Sequence, residues 1–215
     1  MYGWLKRHIA TLPRHDGTFL TEAEVSAATG TSRTPVREAL LRLKTEGLLQ
    51  IVPKKGAYVP PITDAEVEAV MQARGLVEDW CVRRSAPYAE SLPLELARLV
   101  RRQEELQDTA VAFIECDQEF HRTIVRAAGN PVLADFYESL RERQLRMGLR
   151  AIATSQRQTR MVLAEHTAII DGVRSGDPAA AAAAVAAHLA NTMAALRMPA
   201  VSRWAPAGEP GGELR

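Results

Sequence analysis

Apolar residues recur every three to four positions over most of the chain, and the places where that rhythm fails divide it into two parts. From Tyr2 to Leu12, Trp4, Leu5, Ile9 and Leu12 share one face of an amphipathic helix, which the Pro13 to Thr18 segment ends. Thr21 with Glu24 three positions later has the form of a capping box, opening a short helix through Ala28 that Gly30 closes. Ser32 or Thr34 caps the next helix. Pro35 is tolerated in its first turn, and Val36, Leu40, Leu43 and Leu48 keep helical spacing up to the stop at Gly47. The period then changes: Leu48 to Val52 and Ala57 to Val59 read as two short strands joined by Pro53-Lys54-Lys55-Gly56, a hairpin with a basic tip.

Pro60-Pro61 marks a boundary, and beyond Ile62 the pattern is helical. Breaks near Pro87, Pro93, Asp108, Gly129-Asn130-Pro131, Thr154-Ser155 and Gly176-Asp177-Pro178 divide the remainder into about six helices. In the two Gly-Asn/Asp-Pro corners, Gly can end one helix in the left-handed conformation while Asn or Asp caps the next and Pro takes its first position. The run Ala179 to Ala184 reads as helix, since alanine is the best helix former and its small side chain allows close packing. The expected architecture is mainly α: a module of short helices and a hairpin over residues 1–61, an all-helical bundle over 62–198, and a Gly- and Pro-rich tail over 199–215 whose composition predicts disorder.

Composition changes this picture little. No unbroken run of roughly 18 apolar residues occurs, so no membrane segment is expected and the cytoplasm is the expected compartment. Cys81 and Cys116 lack CxxC spacing and read as core thiols. The net charge of +1 conceals an asymmetry: residues 1–60 hold nine Lys or Arg against five Asp or Glu. An excess of that size fits an ordinary solvated surface as well as a nucleic-acid partner, so the motifs decide.

Two short helices about a Gly-containing turn form a helix-turn-helix, and the hairpin after them a wing. Arg33 and Arg37 are four apart near the start of the second helix, where an arginine can reach guanine O6 and N7 with two parallel hydrogen bonds. Ser32 and Thr34 are placed to bind phosphate beside the free amides of the helix start, while Lys54, Lys55 and Gly56 would carry the wing against the duplex.

The helical part carries a second constellation. Asp117 and His121 share a helix face with Ile124 and Ala128, His166 lies on the stripe of Leu163, Ile169 and Ile170, and His188 lies between Val185 and Leu189. Three histidines and one aspartate on inward faces of three helices form either a buried hydrogen-bonded network or a site for a divalent cation; spacing alone leaves both open. Arg74 also faces inward, as a structural ion-pair partner or as an anion-binding group.

The run Ser32-Arg33-Thr34-Pro35-Val36-Arg37-Glu38-Ala39-Leu40, then Leu43, Glu46-Gly47-Leu48 and Lys55-Gly56-Ala57-Tyr58-Val59, resembles the signature of the GntR family of transcription regulators. Asp117-x3-His121, Gly129-Asn130-Pro131, Glu165-His166, Gly176-Asp177 and His188 extend the resemblance, over roughly residues 4 to 197, to its FadR-like branch with the helical FCD domain. The resemblance implies a regulator that binds double-stranded operator DNA; one recognition helix reads too few base pairs for a unique site, so a homodimer is expected. The resemblance also implies that Asp117, His121, His166 and His188 hold a divalent metal. An anion completing the shell of a divalent ion held by one carboxylate and three neutral imidazoles makes a small organic acid the expected effector. Imidazole and carboxylate suit zinc first, with nickel, manganese or iron compatible. Arg74 would be an effector contact. One departure is Ala23, where the family places an arginine before the recognition helix. A metal-dependent enzyme acting on small carboxylates would need Glu165 or Glu119 as base, and Glu165 points about 100° away from His166 on an ideal helix, so no enzymatic activity is expected. A non-specific DNA-binding protein would not need the second domain.

Overall fold

The computed structural model describes residues 1–12, 17–87, 90–152 and 156–197; the expected tail over 199–215 and the break at Thr154-Ser155 lie outside them. The chain begins with α1 (Tyr2–Thr11), β1 (Thr18–Leu20), α2 (Glu22–Thr29), α3 (Arg33–Thr45), β2 (Gln50–Val52) and β3 (Gly56–Val59). The capping box forms as its spacing predicts, with the Thr21 hydroxyl accepting from the Glu24 amide and the Glu24 carboxylate accepting from the Thr21 amide. Gly30 closes α2 in the left-handed conformation. Ser32 is the N-cap of α3 but makes no side-chain cap bond there, and Thr34 is already helical.

Strand β1 is not predicted by the apolar pattern of residues 13–21. It pairs antiparallel with β3, Thr18 opposite Val59, so that β3 is the centre of a three-stranded sheet in the order β1-β3-β2. Gly56 owes its identity to this pairing, for its φ is 108° and a Cβ there would lie 2.7 Å from the Leu20 carbonyl oxygen.

Among the described residues seven helices follow rather than six: α4 (Asp64–Ser85), α5 (Leu92–Glu105), α6 (Ala110–Ala127), α7 (Pro131–Ser139), α8 (Arg141–Ile152), α9 (Gln156–Arg174) and α10 (Pro178–Arg197). The unanticipated break, at Leu140, has no glycine or proline to announce it. At both anticipated corners the local chemistry is as expected. Gly129 and Gly176 have φ of 71°, Asn130 accepts from the amides of Val132 and Leu133, and Asp177 accepts from that of Ala179.

The long helices α4 and α10 pack together, with α9 beside α10 and α5 and α6 completing the bundle. By length and composition α10 could cross a membrane, although His188, Asn191 and Thr192 break its unbroken apolar run. Here it packs against α4 and α9, with Ala181, Ala182, Val185 and His188 buried.

The two parts share one apolar core, because α1 packs on α3 and also on α6 and α8. Lys6 ties this junction. Its buried ammonium lies 3.0 Å from Glu46 at the end of α3 and 3.0 Å from Glu115 on α6, and Tyr2 donates to Glu46. Burial alone would lower the Lys6 pKa, but hydrogen bonding to Tyr2, Glu46 and Glu115 outweighs it and holds the pKa above its usual value.

The α9–α10 crossing depends on Gly172, where a Cβ would stand 2.8 Å from the Ala181 Cα. Gly172→Val should therefore cost about 1–3 kcal/mol of stability by overpacking, read as a lower urea midpoint. An unchanged midpoint would mean that the two helices can separate freely.

Candidate functional site

Four residues from three helices meet inside the bundle. Helix α6 places Asp117 and His121 one turn apart, α9 brings His166 and α10 brings His188, and one ligand-type atom from each lies within 4.8 Å of all the others. The three imidazoles are buried and Asp117 is partly exposed. Ring centroids are separated by 5.2 Å between His121 and His166, 4.8 Å between His121 and His188, and 4.9 Å between His166 and His188. His166 also stacks on Phe120, centroids 4.0 Å apart and nearly parallel, which sets the plane of its ring.

Nitrogen atoms facing the middle of this cluster lack partners. Nε2 of His121 and Nε2 of His166 are buried without a hydrogen bond, and His166 Nε2 lies 3.4 Å from an Asp117 carboxylate oxygen. Lone pairs left bare in an apolar core are costly. A divalent cation would satisfy them together with the carboxylate, and the donor set, three imidazoles and one oxygen, is one that zinc and neighbouring transition metals accept. The residues present therefore fit a metal.

Outside the cluster each ring meets a second partner. His188 Nδ1 lies 2.8 Å from Glu165, whose other oxygen accepts from Asn191 at 2.7 Å. His166 Nδ1 lies 2.9 Å from the Gln103 amide oxygen. His121 Nδ1 approaches Glu78 Oε2 at 2.8 Å, off the line of a good hydrogen bond. Glu78 is fully buried and accepts through Oε1 from Arg74 Nε at 2.8 Å and from the Tyr137 hydroxyl at 2.6 Å. Burial alone would raise its carboxyl pKa; the Arg74 charge, then His121 and Tyr137, overcome that and hold it well below the usual carboxylate range.

Arg74 therefore has the structural ion pair that was one of its two readings. Its second terminal nitrogen, buried and without a partner, leaves the other open. Arg74, Asp117 and His188 line one cavity of about 30 Å³, together with Gln144, whose buried amide nitrogen likewise has no hydrogen bond. Val70, Ile114 and Val162 supply apolar walls. At roughly 10–15 Å³ for each water-sized occupant, this space suits only a small ligand.

The residue pattern does not single out Glu78, Gln103 or Gln144, and it points to Glu165 only as a catalytic base, not as a partner of His188. The usable signal at Glu78, Gln103 and Gln144 is the one that exposed the histidines, a polar residue on a buried apolar stripe: Gln103 follows Leu96 and Val100, Gln144 lies between Leu140 and Met147, and Glu78 lies between Arg74 and Val82. Both carboxylates considered as catalytic bases are engaged elsewhere, Glu165 with His188 and Asn191, and Glu119 with Arg122 and Arg126.

The second candidate surface lies on the N-terminal module. Ser32, Arg33, Thr34 and Arg37 are all exposed on the first turns of α3, free to face a duplex. Lys54 and Lys55 are exposed at the hairpin tip, where Lys54 takes a positive φ of 63°, and Gly56 is only partly so. Ala23 is exposed on α2 and offers no polar group.

Comparison with known proteins bears on both surfaces. Residues 1–59 match the family model described as bacterial regulatory proteins of the gntR family, and residues 69–191 match that of the FCD domain. An HTH-type transcriptional regulator in an unstable DNA locus of Streptomyces ambofaciens is 31% identical over 202 residues, spanning 88% of this chain and 80% of that protein. The HTH-type transcriptional repressor RspR of Escherichia coli is 30% identical over 199 residues, spanning 88% of this chain and 84% of that one. Among solved structures, a regulator of GntR type from Rhodococcus sp. RHA1 aligns with a TM-score of 0.65 at 21% identity, over 91% of this chain and 94% of that one, a likeness of fold.

Burial, then the neighbouring rings, push His166 well below its usual pKa; burial also lowers His188, with the Glu165 bond partly offsetting it. Both are neutral in the fold, whereas the unfolded chain takes up their protons near pH 6.5. Acid therefore favours unfolding: in chelator, the melting temperature should fall between about pH 8 and pH 5.5, above the range where carboxylates titrate. The slope should shrink in His166→Asn. A flat profile over that interval would show that the rings are not held neutral.

Proposed function

Because the chain belongs to the GntR family of bacterial regulatory proteins and carries an FCD domain, and is thereby a DNA-binding transcription regulator rather than an enzyme, we propose that a small organic acid held at a divalent metal in its helical domain sets its affinity for operator DNA. Residues 1–61 read the operator, residues 62–198 sense the acid, and the protein works in the cytoplasm as a homodimer.

The observation that carries this reading is the convergence of Asp117, His121, His166 and His188 beside a cavity that holds two further unpartnered donors. One carboxylate and three neutral imidazoles leave a divalent ion with a net charge of +1 and coordination positions open to other ligands. Bound there, the ion supplies an anchor for an anion; zinc is the first choice, with nickel, manganese or iron compatible. The free terminal nitrogen of Arg74 favours a carboxylate, and the Gln144 amide nitrogen favours a second oxygen, a hydroxyl or carbonyl. The apolar walls favour a short carbon skeleton over a many-hydroxyl sugar acid.

A dimer follows from the reach of one recognition helix, which spans too few base pairs for a unique site. Leu76 and Trp80 on α4, and Val132 and Phe136 on the adjoining α7, are exposed apolar pairs one turn apart that a second copy would cover.

In operator titrations, Arg33→Ala and Arg37→Ala should each lose roughly 1–3 kcal/mol of specific binding and relax selectivity at one base, while Lys55→Ala weakens all sequences alike and lowers the salt slope. Unchanged discrimination against scrambled DNA in Arg33→Ala would remove the base-reading role, and a strictly monomeric species on operator by light scattering would remove the paired half-sites.

The sensing step is tested by titrating zinc-loaded protein with short mono-, di- and hydroxycarboxylic acids, with and without operator. At least one should shift operator affinity by about 1–3 kcal/mol, with reciprocal change in its own affinity. If every acid that binds does so equally in both states, the coupling is absent.

A further inference from the structure

An imidazole offers a bare lone pair on only one of its two nitrogens when neutral, and the partner of one nitrogen decides which. Inside this bundle those partners are unambiguous for two rings. Glu165 can only accept from His188, so His188 Nδ1 carries the hydrogen and Nε2 is bare. The second Glu165 oxygen is occupied by Asn191 Nδ2, which keeps the carboxylate in place. For His166 the argument passes through one more residue. Gln103 Nε2 donates to the backbone carbonyl of Phe113 at 3.4 Å, and a carbonyl can only accept. The amide is thereby turned with its oxygen toward His166 Nδ1 at 2.9 Å, and Nδ1 again carries the hydrogen. His166 Nε2 is left bare, buried and facing Asp117.

Neither partner is where the chain order would suggest. Glu165 adjoins His166 in sequence yet serves His188, 23 residues away on α10. Gln103 sits on α5, which contributes no atom to the four-residue cluster.

We propose that Gln103 and Glu165 are positioning residues that set the ring tautomers of His166 and His188, so that both Nε2 lone pairs converge on the cluster before any cation arrives. This rests on the metal reading above. Without these partners each ring could place its hydrogen on Nε2, and that proton would have to leave or move before the nitrogen could act as a ligand. Such outer partners carry about 10- to 100-fold of metal affinity in comparable sites.

The experiment uses the full chain, ¹⁵N-labelled at histidine and stripped of metal, in which long-range nitrogen–proton spectra report each ring's tautomer directly. Unaltered protein should show His166 and His188 protonated on Nδ1. Gln103→Leu should change the tautomer population of His166 alone, and Glu165→Leu that of His188 alone. Each should weaken zinc binding about 10- to 100-fold in competition with a chromophoric chelator. Glu165→Gln keeps an acceptor for His188, because the exposed Asn191 can turn its own oxygen to the new amide; it should stay within roughly threefold of the unaltered protein. The Glu165 pair does not depend on Gln103→Leu folding. Tautomers that ignore the loss of their partners, or a tautomer change with unaltered zinc affinity, would overturn the assignment. Failure of the metal reading looks different: zinc would not bind the unaltered protein at all, while the spectra would still answer whether Gln103 and Glu165 orient the rings.

Discussion

Three imidazole rings, each within about 5 Å of the other two, are packed into the centre of a helical bundle, and much of the surrounding structure follows from accommodating and orienting them. An uncharged ring avoids the desolvation cost of an imidazolium and leaves a lone pair for other use. Orientation requires a partner on the outer nitrogen. The bundle supplies a hydrogen-bonding partner for two of the rings, Gln103 on α5 for His166 and Glu165 on α9 for His188, and places the Glu78 carboxylate of α4 within 2.8 Å of His121 Nδ1. These contacts tie α4 to α6, α5 to α9, and α9 to α10, so the same polar groups that aim the rings also fasten the helices. Glu78 brings in a buried arginine and tyrosine, because a carboxylate in that position needs compensating charge and hydrogen bonds.

The cluster is not isolated from the N-terminal module. Glu115, two residues before Asp117 on α6, shares the Lys6 ammonium with Glu46, the C-cap of α3. Arg146 on α8 donates to the Pro60 carbonyl at the junction of the two parts. A shift of α6 or α8 thus moves groups bonded to both ends of the N-terminal module. Packed helices of this kind change by discrete steps rather than by bending.

Features decided by neighbours in the chain were legible from the residues alone. The Thr21/Glu24 box, the left-handed Gly30, and the Asn130-Pro131 and Asp177-Pro178 helix starts all depend on contacts no more than four positions apart. Helical periodicity likewise placed Asp117, His121, His166 and His188 on inward faces, since a histidine on an apolar stripe can point only to the core.

What the residues could not disclose was decided by pairing across the fold. Strand β1 is three residues long and exists because β3, some forty residues later, offers it an edge; nothing within the strand specifies this. The bend at Leu140 arises without a helix breaker, in a corner set by packing of α7 and α8 on the bundle. Composition fixed which side chains could serve as outer partners, and topology alone chose Gln103 for His166 across 63 positions and Glu78 for His121. Local chemistry acts through bonds a turn long and can be read from spacing. The direction of a lone pair in the core depends on which distant helix faces it, and that is known only once the helices have packed.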